Sequence, residues 1–323
     1  MKHLKPLLLI ALSIVTLAAA QPSGVTIQHD EGATTVPSNP KRVVVISEEM
    51  LDFAFALKLN VIGVGSPRLT PSDLDGNKIR LKDPNAGFFR FGNVQNLTYV
   101  GNWAEPSLET ILTLKPDLIL RLAWTGIQGF DKLSAIAPTV SFGQNRADGW
   151  QSILLELSKI NDRQSVARAF IADYNAKLAA AQSKLAAAGI LRKTPKFMVI
   201  STFGSGTSYL YTGNRLANVM RGLGFTFAYP TGLSKTEEDD KFGWQTLSPE
   251  VLLTIPSDTL VVNVPNIGAT TDPTKLEGNV ALLRKSKARV VDYNLLKFSP
   301  WMGPNTDKQM IADLSKAILN VKP

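Results

Sequence analysis

The sequence predicts an α/β fold with two lobes joined by one long helix, and three observations lead to this prediction. Short apolar runs alternate with amphipathic segments in both halves of the chain, which is typical of parallel sheets covered by helices. Residues 163–188 show a helical pattern without proline or glycine, about 26 residues and roughly 39 Å long. Similar strand and helix patterns lie on each side of it, so we expect a cleft between two lobes.

The first half begins with a strand–helix–strand unit. Residues 43–46 (VVVI) form an apolar run that is typical of a strand buried on both faces. Residues 48–59 have helical spacing, and residues 61–64 (VIGV) form the next strand, so the two strands should be parallel. Residues 66–98 are rich in Pro, Gly, Asp and Asn, and we predict a long loop there.

The most informative segment is YVGNWAEPSLETILTLKPDLIL, residues 99–120. Pro106 suits the first turn of a helix, where its missing N–H costs nothing. Lys115 precedes a proline and therefore ends the helix, and an apolar strand follows. Because ligands usually lie at the carboxyl edge of such sheets, this loop–helix–strand order places Trp103 at a candidate site.

The second half repeats this arrangement. We predict a helix over residues 248–254, with Ser248 as N-cap and Pro249 at the first position, followed by a strand at 260–264. In both halves a tryptophan precedes the helix and an acid occupies its first turn. The two sets are Trp103 with Glu109, and Trp244 with Glu250.

The N-terminus resembles a processing signal. Lys2 and Lys5 precede the apolar run 7–17, and three alanines end at Ala20, as at a signal-peptidase site. An uncleaved membrane anchor is the alternative, but the apolar run is short for a bilayer. We expect four parts: a signal peptide at 1–20, an N-terminal lobe at 21–150, a connecting helix region at 151–190 and a C-terminal lobe at 191–323.

Composition limits the function further. The chain has no cysteine, which excludes disulfides and a lipid anchor on cysteine, so we expect an exported, soluble, periplasmic protein. The net charge of +8 is dispersed, apart from residues 284–289 (RKSKAR), which we interpret as a solvated surface. With export expected, nucleic acid is not an expected partner.

Enzyme motifs are weak. His3 and His29 are the only histidines, so a histidine-rich zinc or manganese site cannot be built. A Ser-His-Asp triad would have to use His29, in a polar N-terminal segment. The run 204–208 (GSGTS) is not a nucleophile elbow, and 63–65 (GVG) lacks the third glycine of a dinucleotide fingerprint. We expect neither catalysis nor a resident cofactor.

The chain resembles the substrate-binding proteins of ABC importers that have a rigid helical backbone, the class that carries iron–siderophores, haem or cobalamin. The resemblance covers essentially the whole mature chain and implies two Rossmann-like lobes, one long backbone helix and a ligand cleft between the lobes. The segment PKRVVV is most similar to the ferric-siderophore branch. The segments that carry the resemblance are VPSNPKRVVVIS, LDFAFALKLNVIGVG, YVGNWAEPSLETILTLKPDLIL, WQTLSPEVL and the terminal WMGP helix.

The resemblance implies roles for particular residues. Glu109 and Glu250 match paired surface glutamates that dock arginines of the membrane permease; the alternative is two ordinary first-turn acids favoured by the helix dipole. The protein is expected to act as a monomer. Aromatic residues at cleft positions can bury flat ligand surface, although each has a core position as its alternative. These cleft candidates are Trp103, Trp124, Tyr209, Trp244 and Trp301.

The choice of ligand depends on one departure from the family pattern. Hydroxamate-siderophore binders often carry an arginine where this chain has Trp103, which is closer to the cobalamin pattern. We expect an iron(III)–siderophore-type chelate, with cobalamin or haem as the alternative. An anionic chelate would need other cleft arginines, with surface positions as their alternative: Arg68, Arg90, Arg121 or Arg215. Glu48, after the first strand, is a further cleft candidate, or simply an acid at a helix N-terminus.

Overall fold

The part of the chain that the structure describes forms two sheets with helices on their faces, together with a separate hairpin. The hairpin consists of β1 (Gly24–His29) and β2 (Gly32–Pro37), which pair antiparallel. This arrangement is seen in a computed structural model, which describes residues 24–83, 87–123, 129–143, 149–203, 207–237, 239, 243–266, 273–293 and 303–321.

The N-terminal sheet has the strand order β5-β6-β7-β4-β3-β8-β9. Its strands are β3 (Val43–Ile46), β4 (Val61–Val64), β5 (Leu74–Asp75), β6 (Lys78–Ile79), β7 (Thr98–Tyr99), β8 (Leu118–Ala123) and β9 (Thr139–Gly143). The strands β7, β4, β3, β8 and β9 are parallel, as the buried apolar runs predict, and β5 and β6 are antiparallel. Its helices are α1 (Glu48–Ala56), α2 (Leu108–Leu114) and α3 (Phe130–Ser134).

The prediction of one long loop over residues 66–98 is wrong. Between β4 and β7 the described residues include the 3-10 helices Pro71–Asp73 and Gly87–Phe91 and the short strands β5 and β6. Strands of two residues show no alternation of apolar and polar side chains, so periodicity cannot reveal them.

The C-terminal sheet has the strand order β13-β11-β10-β14-β15, and β12 also pairs with β10. Its strands are β10 (Lys196–Phe203), β11 (Ser208–Tyr211), β12 (Thr226–Phe227), β13 (Trp244–Leu247), β14 (Thr259–Asn266) and β15 (Arg289–Asp292). The centre is parallel, while β11 and β13 are antiparallel.

The long helix lies between the parts that build the two sheets. It is α5 (Gln164–Ala187), whose 24 residues agree with the predicted length. Asn161 and Asp162, just before it, both have positive φ, of 63° and 51°, and Arg163 is the capping residue. The other helices are α4 (Gly149–Leu157), α6 (Ile190–Lys193), α7 (Arg215–Gly222), α8 (Pro273–Lys285) and α9 (Pro304–Asn320), with a 3-10 turn at Ile160–Asp162.

The segment predicted as a helix over residues 248–254 is a 3-10 helix, Pro249–Thr254. Pro249 occupies its first turn, as predicted, but the Ser248 side chain makes no capping hydrogen bond. Ile255 precedes Pro256 and is held in an extended conformation, so the helix ends at Thr254.

Among the described residues, the buried side chains form three clusters, and the largest contains residues from both lobes. We call it the shared core; it includes residues of both sheets and of α1, α4, α5, α7 and α9. Val43 and Val45 of β3 point into the shared core, while Val44 and Ile46 point to the opposite face, against α2. Each sheet is therefore covered on both faces. Within the described residues, no helix combines the length and apolar character needed to cross a bilayer.

Candidate functional site

Polar side chains gather where β3, β4 and β7 end, at the carboxyl edge of the N-terminal sheet. Glu48 follows β3, Ser66 follows β4, and Tyr99 ends β7. The Ser66 hydroxyl donates to Glu48 Oε1, and Ser66 Oγ accepts from the Arg68 backbone N–H at 3.0 Å. The Tyr99 hydroxyl donates to the Ser66 carbonyl at 3.3 Å. This network fixes Arg68, whose Nε lies 3.7 Å from Glu48 Oε1.

The electrostatics of this edge come from burial. Glu48 is only 3% exposed, and this loss of hydration, with the nearby charge of Glu49, raises its pKa to about 7. The hydrogen bond from Ser66 and the charge of Arg68 lower the pKa of Glu48, but by less than burial raises it. The Arg68 side chain is 34% exposed, so a buried carboxyl positions a guanidinium at the surface. A guanidinium in that position can bind a carboxylate or another oxyanion.

An aromatic pair lies on the C-terminal sheet. Tyr209 of β11 and Trp244 of β13 meet edge to face, with ring centroids 4.7 Å apart and planes 77° apart. Both side chains are half-buried, on the face opposite Leu210 and Leu247, which pack in the core of that lobe. Two nearly perpendicular rings present apolar surface at the side of the sheet, and aromatic side chains have little entropy to lose on binding.

Trp103 serves packing at least in part. Its indole is half-buried and packs against the cluster of Val44 and Ile46 behind the N-terminal sheet. The loop around it is well defined, because Asn102 Oδ1 accepts the N–H groups of Ala104 and Glu105, at 2.7 and 2.8 Å. One part of the Trp103 ring therefore packs in the interior, as the alternative of a core position predicts, and the other part is exposed.

The two glutamates expected to dock a permease occupy matching positions. Glu109 lies in the first turn of α2, which Ser107 caps by accepting the Thr110 N–H, and Glu250 lies in the first turn of the 3-10 helix Pro249–Thr254. Both are exposed. Hydrogen bonds from its own backbone and from Ser248 lower the pKa of Glu250, so this carboxyl is charged at neutral pH.

Two of the candidate arginines are buried, and their assignment to the cleft or the surface is wrong. Arg121 of β8 donates to both carboxylate oxygens of Glu31, at 3.1 and 2.9 Å. Arg215 of α7 pairs with Asp307 and donates to the Gly303 carbonyl at 3.1 Å. Both guanidiniums therefore bind partners within the chain. Arg90 is half-buried beside Phe91.

Sequence reasoning missed the buried acid Asp52. It lies on α1, where residues 48–54 are all buried, and its carboxylate accepts hydrogen bonds from Asn305 and Thr306 at the start of α9. The signal was present: Asp52 stands between Leu51 and Phe53 on a face that has to be covered.

Several predicted features have no structural description. Trp124, Trp301 and the signal segment lie outside the described residues. Within the described ranges, His, Cys, Asp and Glu side chains form no group of three or more that could hold a metal ion.

Comparison with known proteins gives consistent matches. The sequence model of the family described as periplasmic binding protein matches residues 43–289. The ferric enterobactin-binding periplasmic protein FepB of Escherichia coli is 30% identical over 251 residues, 73% of each chain. The probable siderophore-binding lipoprotein YfiY of Bacillus subtilis is 26% identical over 273 residues, 80% of this chain and 78% of the relative. The alignment with the putative ABC transporter substrate-binding lipoprotein YhfQ of Bacillus subtilis, at 30% identity, spans only 57% of that relative.

Solved structures share the fold. SirA of Staphylococcus aureus, complexed with staphyloferrin B, superposes with a TM-score of 0.69 at 21% identity, covering 92% of this chain and 99% of SirA. The petrobactin-binding protein YclQ of Bacillus subtilis superposes with a TM-score of 0.68 at 21% identity, covering 93% of this chain and 100% of YclQ. The predicted fold class, two α/β lobes with one long helix, is confirmed.

The family match covers well over half of the chain, and the match to FepB covers more than two thirds of it. Together with the shared fold, these findings confirm the resemblance that the sequence segments indicated. This chain belongs to the periplasmic binding protein family of substrate-binding proteins.

Proposed function

We propose that this chain is the substrate-binding component of an ABC transporter, capturing an iron(III)–siderophore-type chelate and delivering it to a membrane permease. The observation that carries the ligand class is Arg68, a partly exposed cation that the buried Glu48 holds at the carboxyl edge of a parallel sheet. Such an edge is where ligands of α/β proteins bind, and ferric chelates of carboxylates or catecholates are anionic. FepB is described as binding ferric enterobactin and YfiY as a probable siderophore-binding protein, and SirA was solved with staphyloferrin B. These similar proteins support a siderophore-type ligand.

Binding would combine this charge with aromatic contact. Tyr209 and Trp244 supply an apolar surface on the C-terminal lobe, and Arg68 an anion contact on the N-terminal lobe. Trp103, Trp124 and Trp301 are proposed as further contacts. No step of this cycle breaks a covalent bond, so we assign a binding role without catalysis or resident cofactor, and iron enters as cargo within the chelate.

Cobalamin or haem is the second candidate ligand. It is favoured by Trp103, which occupies a position where hydroxamate binders often have arginine and leaves a half-buried indole at the loop. A flat corrinoid or porphyrin would use the aromatic surfaces more than Arg68. The two candidates therefore differ in their dependence on Arg68.

Delivery requires contact with the permease, and we assign that contact to Glu109 and Glu250. Both are exposed first-turn acids, one in each lobe, which suits cationic groups on two membrane subunits. We further propose a periplasmic monomer with a signal cleaved after Ala20 and no lipid on cysteine. Its parts are the lobes 21–150 and 191–323 and the connecting region 151–190. Mass spectrometry of the secreted protein tests the cleavage site.

The ligand is tested by quenching of tryptophan fluorescence. Purified protein is titrated with ferric hydroxamate, catecholate and carboxylate siderophores, with haemin and with cobalamin. We expect saturable quenching by at least one ferric siderophore, and weaker quenching by that chelate in Trp244→Phe. Saturation by haemin or cobalamin alone would select the second candidate, and no response to any compound would overturn the proposal.

Docking is tested by uptake of radiolabelled iron in cells. The double variant Glu109→Ala, Glu250→Ala should abolish uptake and leave the affinity for the chelate unchanged. Asp75→Ala combined with Glu237→Ala removes one exposed acid from each lobe as a control and should leave uptake intact. Loss of chelate affinity in the Glu109 and Glu250 variant would contradict the docking role.

A further inference from the structure

The two most exposed large apolar side chains among the described residues are Leu112 and Leu253. Their exposed fractions are 61% and 49%, against 40% for Leu319 and 38% for Leu155. A single exposed leucine is ordinary on a soluble protein. These two are unusual because they occupy equivalent positions in the two lobes.

Each leucine follows a first-turn glutamate by three residues. In α2 the order is Glu109-Thr110-Ile111-Leu112, and in the 3-10 helix it is Glu250-Val251-Leu252-Leu253. Side chains three residues apart are neighbours on an α-helix and lie directly above one another on a 3-10 helix. Each lobe therefore presents an acid beside an apolar side chain; we call Glu109 with Leu112, and Glu250 with Leu253, the acid–leucine pairs.

The core of each lobe fixes the direction of its pair. Ile111 and Leu252, immediately before the two leucines, are completely buried, Ile111 behind the N-terminal sheet and Leu252 behind the C-terminal sheet. These anchors set the rotation of both short helices and leave Leu112 and Leu253 in solvent. A polar residue at position 112 or 253 would leave the buried anchors Ile111 and Leu252 in place. Packing within the chain therefore does not explain why both positions carry leucine.

We propose that the two acid–leucine pairs form one bipartite docking surface for the two membrane subunits of the permease. This inference rests on the proposed transport function. Each subunit would offer a cation to the glutamate and an apolar pocket to the leucine. An exposed ion pair is weak in water, and an apolar side chain that seals it from solvent strengthens it. Two equivalent pairs on one chain suit a partner built from two related subunits.

Uptake of radiolabelled iron tests the leucines. Iron is supplied as ferric hydroxamate, catecholate and carboxylate chelates to cells carrying the double variant Leu112→Ser, Leu253→Ser. We expect uptake to fall about tenfold or more, as for loss of buried interface anchors, with the thermal midpoint and the chelate affinity unchanged. The matched control is Leu155→Ser with Leu319→Ser, which removes two exposed leucines from α4 and α9 and should keep full uptake.

Photo-crosslinking identifies the partner. p-Benzoylphenylalanine is placed at position 112 or 253 in intact cells, with positions 155 and 319 as controls. Products from 112 and 253 should contain a membrane subunit of an ABC permease, and the controls should not give them. Equal products from the controls, or none from 112 and 253, would overturn the docking surface.

The outcomes separate this inference from the transport function. If the wild-type protein binds no chelate in the fluorescence titration, the transport proposal fails first. If Glu109→Ala with Glu250→Ala stops uptake while the leucine double variant transports normally, only the leucine contribution is wrong. If the leucine variant loses chelate affinity or stability, the side chains have a structural role and the docking assignment is overturned.

Discussion

Asp52 and Thr306 are joined by two hydrogen bonds across 254 residues of sequence: Asp52 Oδ2 accepts from the Thr306 N–H at 2.9 Å and from its hydroxyl at 2.8 Å. The other carboxylate oxygen, Oδ1, accepts from the N–H and the side-chain amide of Asn305, at 3.1 and 2.7 Å. The first N–H groups of a helix have no partner within it, so α1 supplies the N-terminal cap of α9. The cap lies in the interior, since Asp52 is only 3% exposed.

Asp52→Ala should lower the free energy of unfolding by about 3 kcal/mol or more, because it leaves several buried donors without an acceptor. Guanidinium denaturation measures the loss. Asp75→Ala, at an exposed position, is the control and should change stability by less than about 0.5 kcal/mol. A loss in Asp52→Ala as small as in the control would show that water replaces the carboxylate.

Glu48 should make stability depend on pH. Folding raises its pKa from 4.5 to about 7, so the folded state binds the proton more tightly than the unfolded state. The favourable contribution of the Glu48 proton to the free energy of unfolding is fully present below pH 4.5, and it is lost as the pH rises through 7. At about 1.4 kcal/mol per pKa unit, the loss between pH 5 and pH 8 is on the order of 3 kcal/mol.

Glu48→Gln tests this dependence, because glutamine can still accept the hydrogen bond from Ser66 but does not titrate. Urea denaturation of both proteins across pH 5 to 8 should give a falling stability for the wild type and a flatter curve for the variant. Parallel curves would show that Glu48 is not the group responsible.

Arg68→Ala should weaken binding of an anionic ferric chelate about 10- to 100-fold, which corresponds to losing a hydrogen bond to a charged group. Arg68→Lys should recover part of the affinity, since lysine keeps the charge but not the planar fork. Arg80→Ala, at another exposed arginine, is the control. Fluorescence titration checks all three, and equal affinity in Arg68→Ala and wild type would remove Arg68 from the site.

Closure of the lobes around a ligand should be small. Helix α5 belongs to the core shared by the lobes, and α9 packs against both α5 and α1. A wide hinge motion would have to break these contacts. Small-angle X-ray scattering with and without ligand should give nearly the same radius of gyration; a large decrease on binding would contradict this expectation.

The sequence was most reliable where burial extends along a whole element. The runs of β3 and β4 are apolar because both faces of these strands are covered, and α5 was predicted from apolar residues at helical spacing; these patterns gave the fold class. It was least reliable for short elements. The strands β5 and β6 have two residues each, and the 3-10 helix Pro249–Thr254 has the composition of an α-helix but is shortened by the following proline.

The candidate site was harder to predict for a different reason. Exposed first-turn positions such as Glu109 follow from helix geometry, so its place on the surface was predictable. Whether Arg215 or Arg121 reaches the surface depends on partners far away in sequence, Asp307 and Glu31, which no local pattern shows. A charged residue beside large apolar neighbours is the one local hint of such buried pairs.

The cap that Asp52 gives to α9 has a consequence for the order of events during synthesis. Asp52 is made early, whereas its donors, Asn305 and Thr306, follow 253 and 254 residues later in the chain. Until α9 has formed, the Asp52 carboxylate on α1 lacks these donors, and the N-terminal lobe cannot reach its final packing. The N-terminal lobe therefore completes its packing only after α9 has been made, and a chain that lacks α9 stays accessible to chaperones and proteases.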